Sequence, residues 1–438
     1  MSGDRKLGVI EEAMELLNQQ ANTWNVVTIS RIKSSIYLLK EEILRQAIQL
    51  AQQRHPRLRS QIIDSLSSLH FKTNENLEIP LRTIWKRPWQ EVVQEELNIK
   101  IDVKNSLLRV VLVHDFDEPD IAYLITTIHH AISDARSCVQ LHAEILGYCA
   151  EIVDGKSRNS VVSLPSLPPA EELLPAWAKG LKGNLKKAHL LMRLGLQEVW
   201  QRPETLGFEE DVPLTKRRCG LIHLRIDEPL LQKLVNRCRE ENTTVHGALC
   251  AALMFSVARK VTAGQERKVH LSCQSYLDLR KQLNYLIKDD QMAVLASAIR
   301  TTHTMSSHTS FWELAREVKC KLNDIKQSDV FGMFLMTKSF MKLFLARPEQ
   351  VLSSVSVSNI GRVSIPETYG PFELEEISFL GSNSLFGGIL AVNVSSFRER
   401  MFLNFSFSEP SLSRKTMETL VACILAYLRE ACEESALF

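Results

Sequence analysis

The sequence has no Cys-x-x-Cys pair, no long apolar run and little net charge. Its nine cysteines are scattered over 438 residues, so no zinc ribbon or dithiol redox motif is indicated. No stretch is apolar and long enough to predict a membrane-spanning helix, and acidic residues interrupt the first apolar positions, unlike in a signal peptide. A net charge of +2 provides no general attraction to nucleic acid. These absences predict a cytoplasmic protein with reduced, buried thiols, no bound metal and no nucleic-acid partner.

The sequence also lacks internal repeats and a Gly-x-Ser-x-Gly turn, so no serine nucleophile of the hydrolase type is indicated. What it contains is ordinary globular composition, with 45% apolar and 24% charged residues. The chain is long enough for two domains with separate cores. Patterns typical of strands and helices alternate in both halves, which predicts an α/β protein.

Two adjacent histidines lie where a predicted strand meets a predicted helix. Residues 121–128 are apolar and rich in β-branched side chains, His129 and His130 follow, and residues 134–150 have a helical pattern. Neighbouring side chains on a strand face opposite ways, so one histidine at most can face a given cleft. Neutral imidazole is a competent general base near pH 7. A structural interpretation is also open, in which both rings are buried and bonded to the backbone.

The stretch from His129 to Asp134 matches a His-His-x-x-x-Asp signature, and the chain resembles the chloramphenicol-acetyltransferase-like superfamily. That superfamily includes peptide-synthetase condensation domains, polyketide-associated acyltransferases and alcohol acetyltransferases. Ala135 stands where many members have glycine. The resemblance implies mixed α/β sheets in two related domains, which form a V with the active site in the cleft between them.

The resemblance also implies roles for particular residues. His130 is expected to act as the general base and His129 as a structural residue. Asp134 is expected to face away from substrate and to pair with Arg280, which ends a predicted strand in the second half. The implied reaction is direct transfer of an acyl group within a ternary complex, with an acyl thioester as co-substrate and no other cofactor.

A second stretch, Ser358-Asn359-Ile360-Gly361, resembles the Ser-Asn-x-Gly of the alcohol-acetyltransferase and polyketide-associated branches. Ser358 or Asn359 could donate a hydrogen bond to the oxyanion that develops during acyl transfer. Asn359 and Gly361 could equally well only shape the turn after a strand. The sequence leaves both interpretations open.

The predicted organisation is an N-terminal domain over 1–160, a crossover over 161–214 and a C-terminal domain over 215–438. Within the crossover, residues 173–200 have the pattern of a basic amphipathic helix. Its lysines could bind an acidic carrier protein or provide peripheral contact with a membrane surface. They could also form an ordinary solvated face, which is the interpretation we prefer from sequence.

The functional expectation is an acyltransferase that uses acyl-coenzyme A or an acyl carrier protein. An alcohol is the preferred acceptor, and an amine is possible. Two alternatives remain from the sequence. One is a free-standing condensation domain that forms an amide between carrier-bound substrates, and the other is a catalytically silent relative that only binds carriers.

Overall fold

The computed structural model describes most of the chain. The described residues are 3–21, 23–34, 38–65, 68–115, 117–156, 160–180, 183, 187–192, 202–283, 285 and 287–433. Within them the helices are α1 (Val9–Gln20), α2 (Glu41–Arg54), α3 (Trp89–Asn98), α4 (Ala135–Val153), α5 (Glu228–Glu240), α6 (Val245–Thr262), α7 (Phe311–Asn323), α8 (Gln327–Leu345) and α9 (Arg414–Glu433).

The strands form three sheets. In chain order they are β1 (Arg5–Lys6), β2 (Asn25–Lys33), β3 (Ser60–Ser65), β4 (Ser68–Thr73), β5 (Leu81–Trp85), β6 (Leu108–His114), β7 (Ile121–His129), β8 (Arg218–Ile226), β9 (Val269–Asp278), β10 (Ala296–Met305), β11 (Val355–Arg362), β12 (Thr368–Tyr369), β13 (Phe372–Gly381), β14 (Leu390–Phe397) and β15 (Arg400–Glu409). One six-stranded sheet has the order β12-β13-β2-β7-β6-β5, and the other has β10-β9-β11-β14-β15-β8. A small sheet has the order β1-β4-β3. Both large sheets mix parallel and antiparallel pairs, so the predicted α/β class is confirmed.

The strand that leads to the histidine pair lies inside the first sheet. β7 is buried along its whole length, as its β-branched, apolar sequence predicts. The sequence predicts a hairpin of residues 107–114 and 121–128, and it is present: β6 and β7 are antiparallel, with Leu108 opposite Ile128. On its other side β7 pairs with β2, which places Asn25 opposite His129. The histidine turn is therefore anchored by neighbours on both edges.

Helix α4 is fixed on this sheet by a buried histidine. His142 Nδ1 lies 2.8 Å from Ser30 Oγ on β2, and its Nε2 lies 2.7 Å from Thr126 Oγ1 on β7. Burial lowers the pKa of His142 to about 3, so the ring is neutral and bonds one hydroxyl on each strand. These contacts set the position of the helix that begins directly after the motif.

Two strands from the second half of the chain complete the first sheet. β13 pairs antiparallel with β2, with Leu380 opposite Val27, and β12 extends the edge beyond it. The predicted domain boundary near residue 215 stays a prediction. Residues 368–381, which follow that boundary in the sequence, nevertheless belong to the sheet that the first half of the chain forms. A contiguous assignment of 215–438 to one domain therefore does not describe how the sheets are built.

The structure corrects some predicted elements. The sequence pattern predicts a first helix over 5–18, but the helix begins at Val9, because Arg5 and Lys6 pair with β4. No single helix starts at Leu173. Short 3-10 turns follow Pro169 and Pro175, whose rings disfavour a continuous helix there. Residues 187–192 are helical, while positions 181–182, 184–186 and 193–200 of the predicted basic helix lie outside the described residues.

Three sequence-based expectations concern the cysteines, membrane-spanning helices and metal binding. Six cysteines are buried as expected, but Cys320 is exposed, so the prediction is wrong for that thiol. Among the described helices, none has both the length and the apolar character needed to cross a bilayer. No group of three or more His, Cys, Asp or Glu side chains within the described ranges is arranged around a possible metal ion.

Candidate active site

His130 begins the tight turn between β7 and α4. Its Nδ1 lies 2.9 Å from the carbonyl oxygen of Ser133, an acceptor that requires the ring to carry its proton on Nδ1. That tautomer leaves the lone pair on Nε2. The ring stacks on Trp24 at 6.3 Å between centroids and 15° between planes. Its orientation is therefore fixed by one hydrogen bond and one aromatic face.

His129 is fully buried and has a different set of contacts. Its Nδ1 accepts a hydrogen bond of 3.1 Å from the backbone N–H of Ala131, and its Nε2 lies 2.9 Å from Glu15 Oε2. Burial raises the pKa of Glu15, but the contact with His129 and the hydrogen bonds from Gln19 and Asn18 outweigh that effect and the net pKa is lowered. His129 thus ties helix α1 to the backbone of the turn and does not line the cavity described below.

Asp134 and Arg280 form the ion pair that the resemblance implies. Arg280 Nη1 donates to Asp134 Oδ2 at 2.8 Å, and Nη2 donates to Oδ1 at 3.1 Å, so the pair is bidentate. Both residues are buried. Burial alone would raise the pKa of Asp134, but the charge and hydrogen bonds of Arg280 hold it below its usual value. The carboxylate is therefore ionised at neutral pH.

The second half of the chain also contacts this turn through backbone atoms. Leu295 N donates to Asp134 Oδ2 at 3.1 Å, and Asp134 N donates to the carbonyl of Ala293 at 3.1 Å. Asp134 Oδ1 in addition accepts from Ser137 N at 3.0 Å, which caps α4. The carboxylate therefore joins the helix start, the arginine and the segment before β10. Its bonds leave it no free lone pair for substrate, in agreement with a structural role.

Ser358 and Asn359 lie on β11, whose pairing with β14 shifts register between Asn359 and Arg362. Asn359 Oδ1 accepts a hydrogen bond of 2.8 Å from Gly361 N, and Gly361 has a φ of +73°, a value that glycine adopts without strain. Asn359 and Gly361 thus shape an irregularity within β11 rather than a turn after the strand. The oxyanion interpretation stays a prediction, and it would use the side-chain NH2 group rather than Oδ1.

A cavity of about 1350 Å³ connects these residues. It is lined from the first half by residues that include Trp24 and His130, and from the second half by β11 residues that include Ser358 and Asn359. The residues that were predicted as catalytic or supporting therefore converge on one cavity, except His129, which lies behind the turn. Trp24 and Glu15 were missed, because a tryptophan before a strand and a glutamate in an amphipathic helix carry no sequence signal for a site.

The position of His130 has an electrostatic consequence. Burial lowers the pKa of its imidazole, and the hydrogen bond to Ser133 and the charge of Asp134 oppose this only in part. The ring is consequently neutral at pH 7. A neutral imidazole with its Nδ1 proton engaged and its Nε2 lone pair available can accept a proton from a hydroxyl or an amine.

Comparison with known proteins places this geometry in context. Residues 215–401 match the family model described as phthiocerol/phthiodiolone dimycocerosyl transferase C-terminus. The trichothecene 15-O-acetyltransferase TRI3 of Fusarium sporotrichioides has a similar structure, with a TM-score of 0.77 at 13% identity, over 98% of this chain and 95% of that one. The chain has the chloramphenicol-acetyltransferase-like fold. The resemblance inferred from the sequence is therefore confirmed for the fold.

Other members of this fold are similar over the same length. The first condensation domain of the calcium-dependent antibiotic synthetase has a TM-score of 0.72 at 12% identity, over 99% of this chain and 97% of that one. In sequence, a probable alcohol acetyltransferase, FCK4 of Fusarium pseudograminearum, is 24% identical over 305 residues, which are 62% of this chain. The match spans 59% of the length of that relative. The chain is thus acyltransferase-like. The family match contains Arg280, Ser358 and Asn359, but it begins well after the histidine pair in the sequence.

Proposed function

We propose that the protein transfers an acyl group from a thioester to an alcohol, with His130 as the general base. The thioester is an acyl-coenzyme A or an acyl carrier protein, and no further cofactor takes part. Support comes from the acyltransferase-like fold, from the curated relative that is named a probable alcohol acetyltransferase, and from the geometry of the histidine turn.

The observation that carries the proposal is the hydrogen bond from His130 Nδ1 to the Ser133 carbonyl. It assigns the proton to Nδ1 and the basic lone pair to Nε2, on a ring that lines a cavity formed by both halves. The buried structural residue His142 differs, because both of its nitrogens have hydroxyl partners.

The chemistry follows from that tautomer. His130 Nε2 takes the proton of the acceptor hydroxyl as the oxygen attacks the thioester carbonyl, which forms a C–O bond and an oxyanion. Collapse of this tetrahedral species breaks the C–S bond, and the imidazolium returns the proton to the departing thiolate. Asp134 and Arg280 act as positioning residues, because they hold the turn and do not touch the reacting atoms. Donation to the oxyanion by Ser358 or Asn359 is part of the proposal.

The test is transfer of acyl groups from a panel of acyl-coenzyme A thioesters to alcohols and amines, followed as thiol release and as product mass. His130→Ala should lower turnover by about 10²–10⁴-fold, the usual contribution of a positioned base. His308→Ala is the matched control, because His308 is exposed and remote from the cavity. Near-native turnover of His130→Ala with an intact fold would refute the general-base role.

A second candidate is amide formation between carrier-bound partners, favoured by the similarity to a condensation domain over nearly the whole chain. Replacing the coenzyme A donors with acyl carrier proteins, and the alcohols with amines, separates the two reactions. Carrier binding without turnover of any donor would instead support the catalytically silent alternative.

Vesicle co-sedimentation tests the peripheral membrane contact proposed for the basic segment of residues 173–200.

A further inference from the structure

A second, small pocket lies behind the histidine turn, and we propose that it binds a chloride ion through Arg57. The pocket has a volume of about 10 Å³. The charged side chains that line it are Arg5, Glu11 and Arg57, and its other lining residues are apolar. We call it the Arg57 pocket. The inference does not depend on the proposed function, because it concerns a different site and is tested without turnover.

Arg57 is buried without a carboxylate partner. Its exposed fraction is 6%. Nη1 donates to the carbonyl oxygen of Gly3 at 2.8 Å, and the guanidinium lies over the ring of Phe71, 4.1 Å from the centroid. Among the described residues, Nη2 has no hydrogen-bond partner and the guanidinium has no ion-pair partner. Buried charges in proteins are normally paired, so the environment of Arg57 favours an added anion.

Arg5 adds positive charge beside the same pocket. Its guanidinium lies 5.2 Å from the Phe71 centroid, and its two Nη atoms each donate to Glu11 at 2.7 Å. Glu11 is thus engaged by Arg5 rather than by Arg57. Burial, and after it the charge of Arg5, lower the pKa of Arg57 to about 10, although Glu11 and Asp4 oppose the shift. The guanidinium is still charged at pH 7, so its positive charge remains at the pocket.

Two other carboxylates near the start of α1 are bonded elsewhere. Asp4 accepts a hydrogen bond of 2.7 Å from Thr73 N. Glu171 accepts one of 2.9 Å from the first backbone N–H of α1, and it does not line the pocket. Neither carboxylate is paired with Arg57, so we expect the compensating charge to come from outside the chain.

The size and lining of the pocket favour a monatomic anion. A volume of about 10 Å³ suits one water-sized body, which is too little for sulfate or phosphate. A buried water needs about two to four polar partners. Three backbone groups of the lining residues are already bonded within the chain, namely Ala131 N, Ala293 O and Leu295 N. Chloride needs the charge of Arg57 and tolerates apolar neighbours, so it fits this lining better than water does.

The Arg57 pocket shares a wall with the large cavity. Val294 and Leu295 line both spaces. Ala131 and Ile132 of the histidine turn also line the Arg57 pocket. A chloride ion bound there would join Arg57, the turn and the segment before β10, which come together only in the folded protein. Binding should therefore stabilise the folded state.

The experiment follows unfolding of the full-length protein in urea at pH 7, while chloride replaces gluconate at constant ionic strength. Screening of surface charges is then unchanged. An ion that binds one site of the folded state lowers the unfolding equilibrium constant in proportion to 1 + [Cl⁻]/Kd. We expect that constant to fall about tenfold for each tenfold rise in chloride above Kd. The line width of the chloride NMR signal reports binding directly, and bromide should reverse the broadening by competition.

Two variants locate the effect. Arg57→Met keeps an unbranched side chain against Phe71 and removes the charge, so both the stabilisation by chloride and the line broadening should be lost. Arg45→Met is the matched control, because Arg45 pairs with Glu41 on α2 and its side chain is 48% exposed. It should keep the chloride dependence of the wild type, together with any general effect of exchanging gluconate for chloride.

The outcomes decide the inference whether or not Arg57→Met folds. A wild-type protein without line broadening, and with an unfolding constant that does not respond to chloride, overturns it, and water or a carboxylate of the chain such as Glu171 then serves Arg57. Chloride dependence that Arg57→Met retains also overturns it, because the ion then binds elsewhere. If Arg57→Met does not fold, the wild type decides: a tenfold response per decade of chloride, with broadening that bromide reverses, supports the site.

Discussion

The pairing of Asp134 with Arg280 gives the most quantitative test of how the two halves hold the histidine turn. The perturbation is a double-mutant cycle of Asp134→Ala and Arg280→Ala, with Asp134→Asn as a variant that keeps the shape of the side chain. The exposed fractions are 6% for Asp134 and 4% for Arg280, so solvent screens their interaction little.

The expected magnitudes follow from the remaining partners. Asp134→Ala removes the bidentate partner of Arg280, the cap of α4 and the acceptor of Leu295 N, so the free energy of unfolding should fall by about 3–5 kcal/mol. Arg280→Ala should cost less, about 3 kcal/mol, because the carboxylate keeps its bonds from Ser137 and Leu295. The double variant should lose about 1–3 kcal/mol less than the sum of the single variants.

The assay is urea unfolding at pH 7, together with kcat/KM for the acyl transfer. The pKa of Asp134 is lowered in the folded state, so its contribution is complete above the unfolded pKa of about 3.9 and is lost as the pH falls through the folded pKa. At pH 7 the whole contribution is therefore measured. In each single variant kcat/KM should fall together with the free energy of unfolding, because the turn that carries His130 loses the ion pair that holds it.

The control cycle uses Arg225 and Asp227, which are 2.9 Å apart with side chains 50% and 60% exposed. Their coupling should be about 0–1 kcal/mol, as for other surface pairs. Additive losses for Asp134 and Arg280, with a coupling no larger than that of this control, would show that the buried contact does not hold the turn.

Two further predictions concern the histidines. Because burial lowers the pKa of His130, the acid limb of the pH profile of kcat/KM should have its midpoint below pH 6.5. The residual activity of His130→Ala should lack that limb. A midpoint above pH 7 would contradict the environment of His130 described here. Glu15→Ala leaves His129 Nε2 without its buried acceptor and should lower the free energy of unfolding by about 1–3 kcal/mol. Glu15→Gln keeps an acceptor and should lose less, and Gln20→Ala at an exposed position of the same helix serves as the control in the same unfolding assay.

Much of the site could be predicted from sequence because its parts lie at the ends of regular elements. The apolar, β-branched run of residues 121–128 predicts β7, and Asp134 has the residue type that caps a helix. The family resemblance implied that Arg280 pairs with Asp134, and the two side chains form that ion pair in the structure. Leu295 N and Ala293 O contact the same residue through backbone atoms, which no side-chain pattern reveals.

Other features could not be predicted for physical reasons. Alternation in β13 shows which face of the strand is buried and not which strand lies beside it. Its pairing with β2 was therefore missed. Glu15 lies at the border of the apolar face of α1, where an acidic residue is usually solvated. Only the position of His129, which is 114 residues further along the chain, makes Glu15 a buried partner.

The completion of the first sheet by β13 has a consequence for synthesis of the chain. Until β13 leaves the ribosome, β2 is an open edge, although most of its residues are buried in the finished protein. Roughly 340 residues separate the two strands, so at about 5–20 residues per second the edge stays open for about 20–70 s. During that time the nascent first half presents a template for strand addition by another chain. The same edge would be exposed in any split version of the protein that ends before β13, so such a fragment needs a supplied strand to remain monomeric.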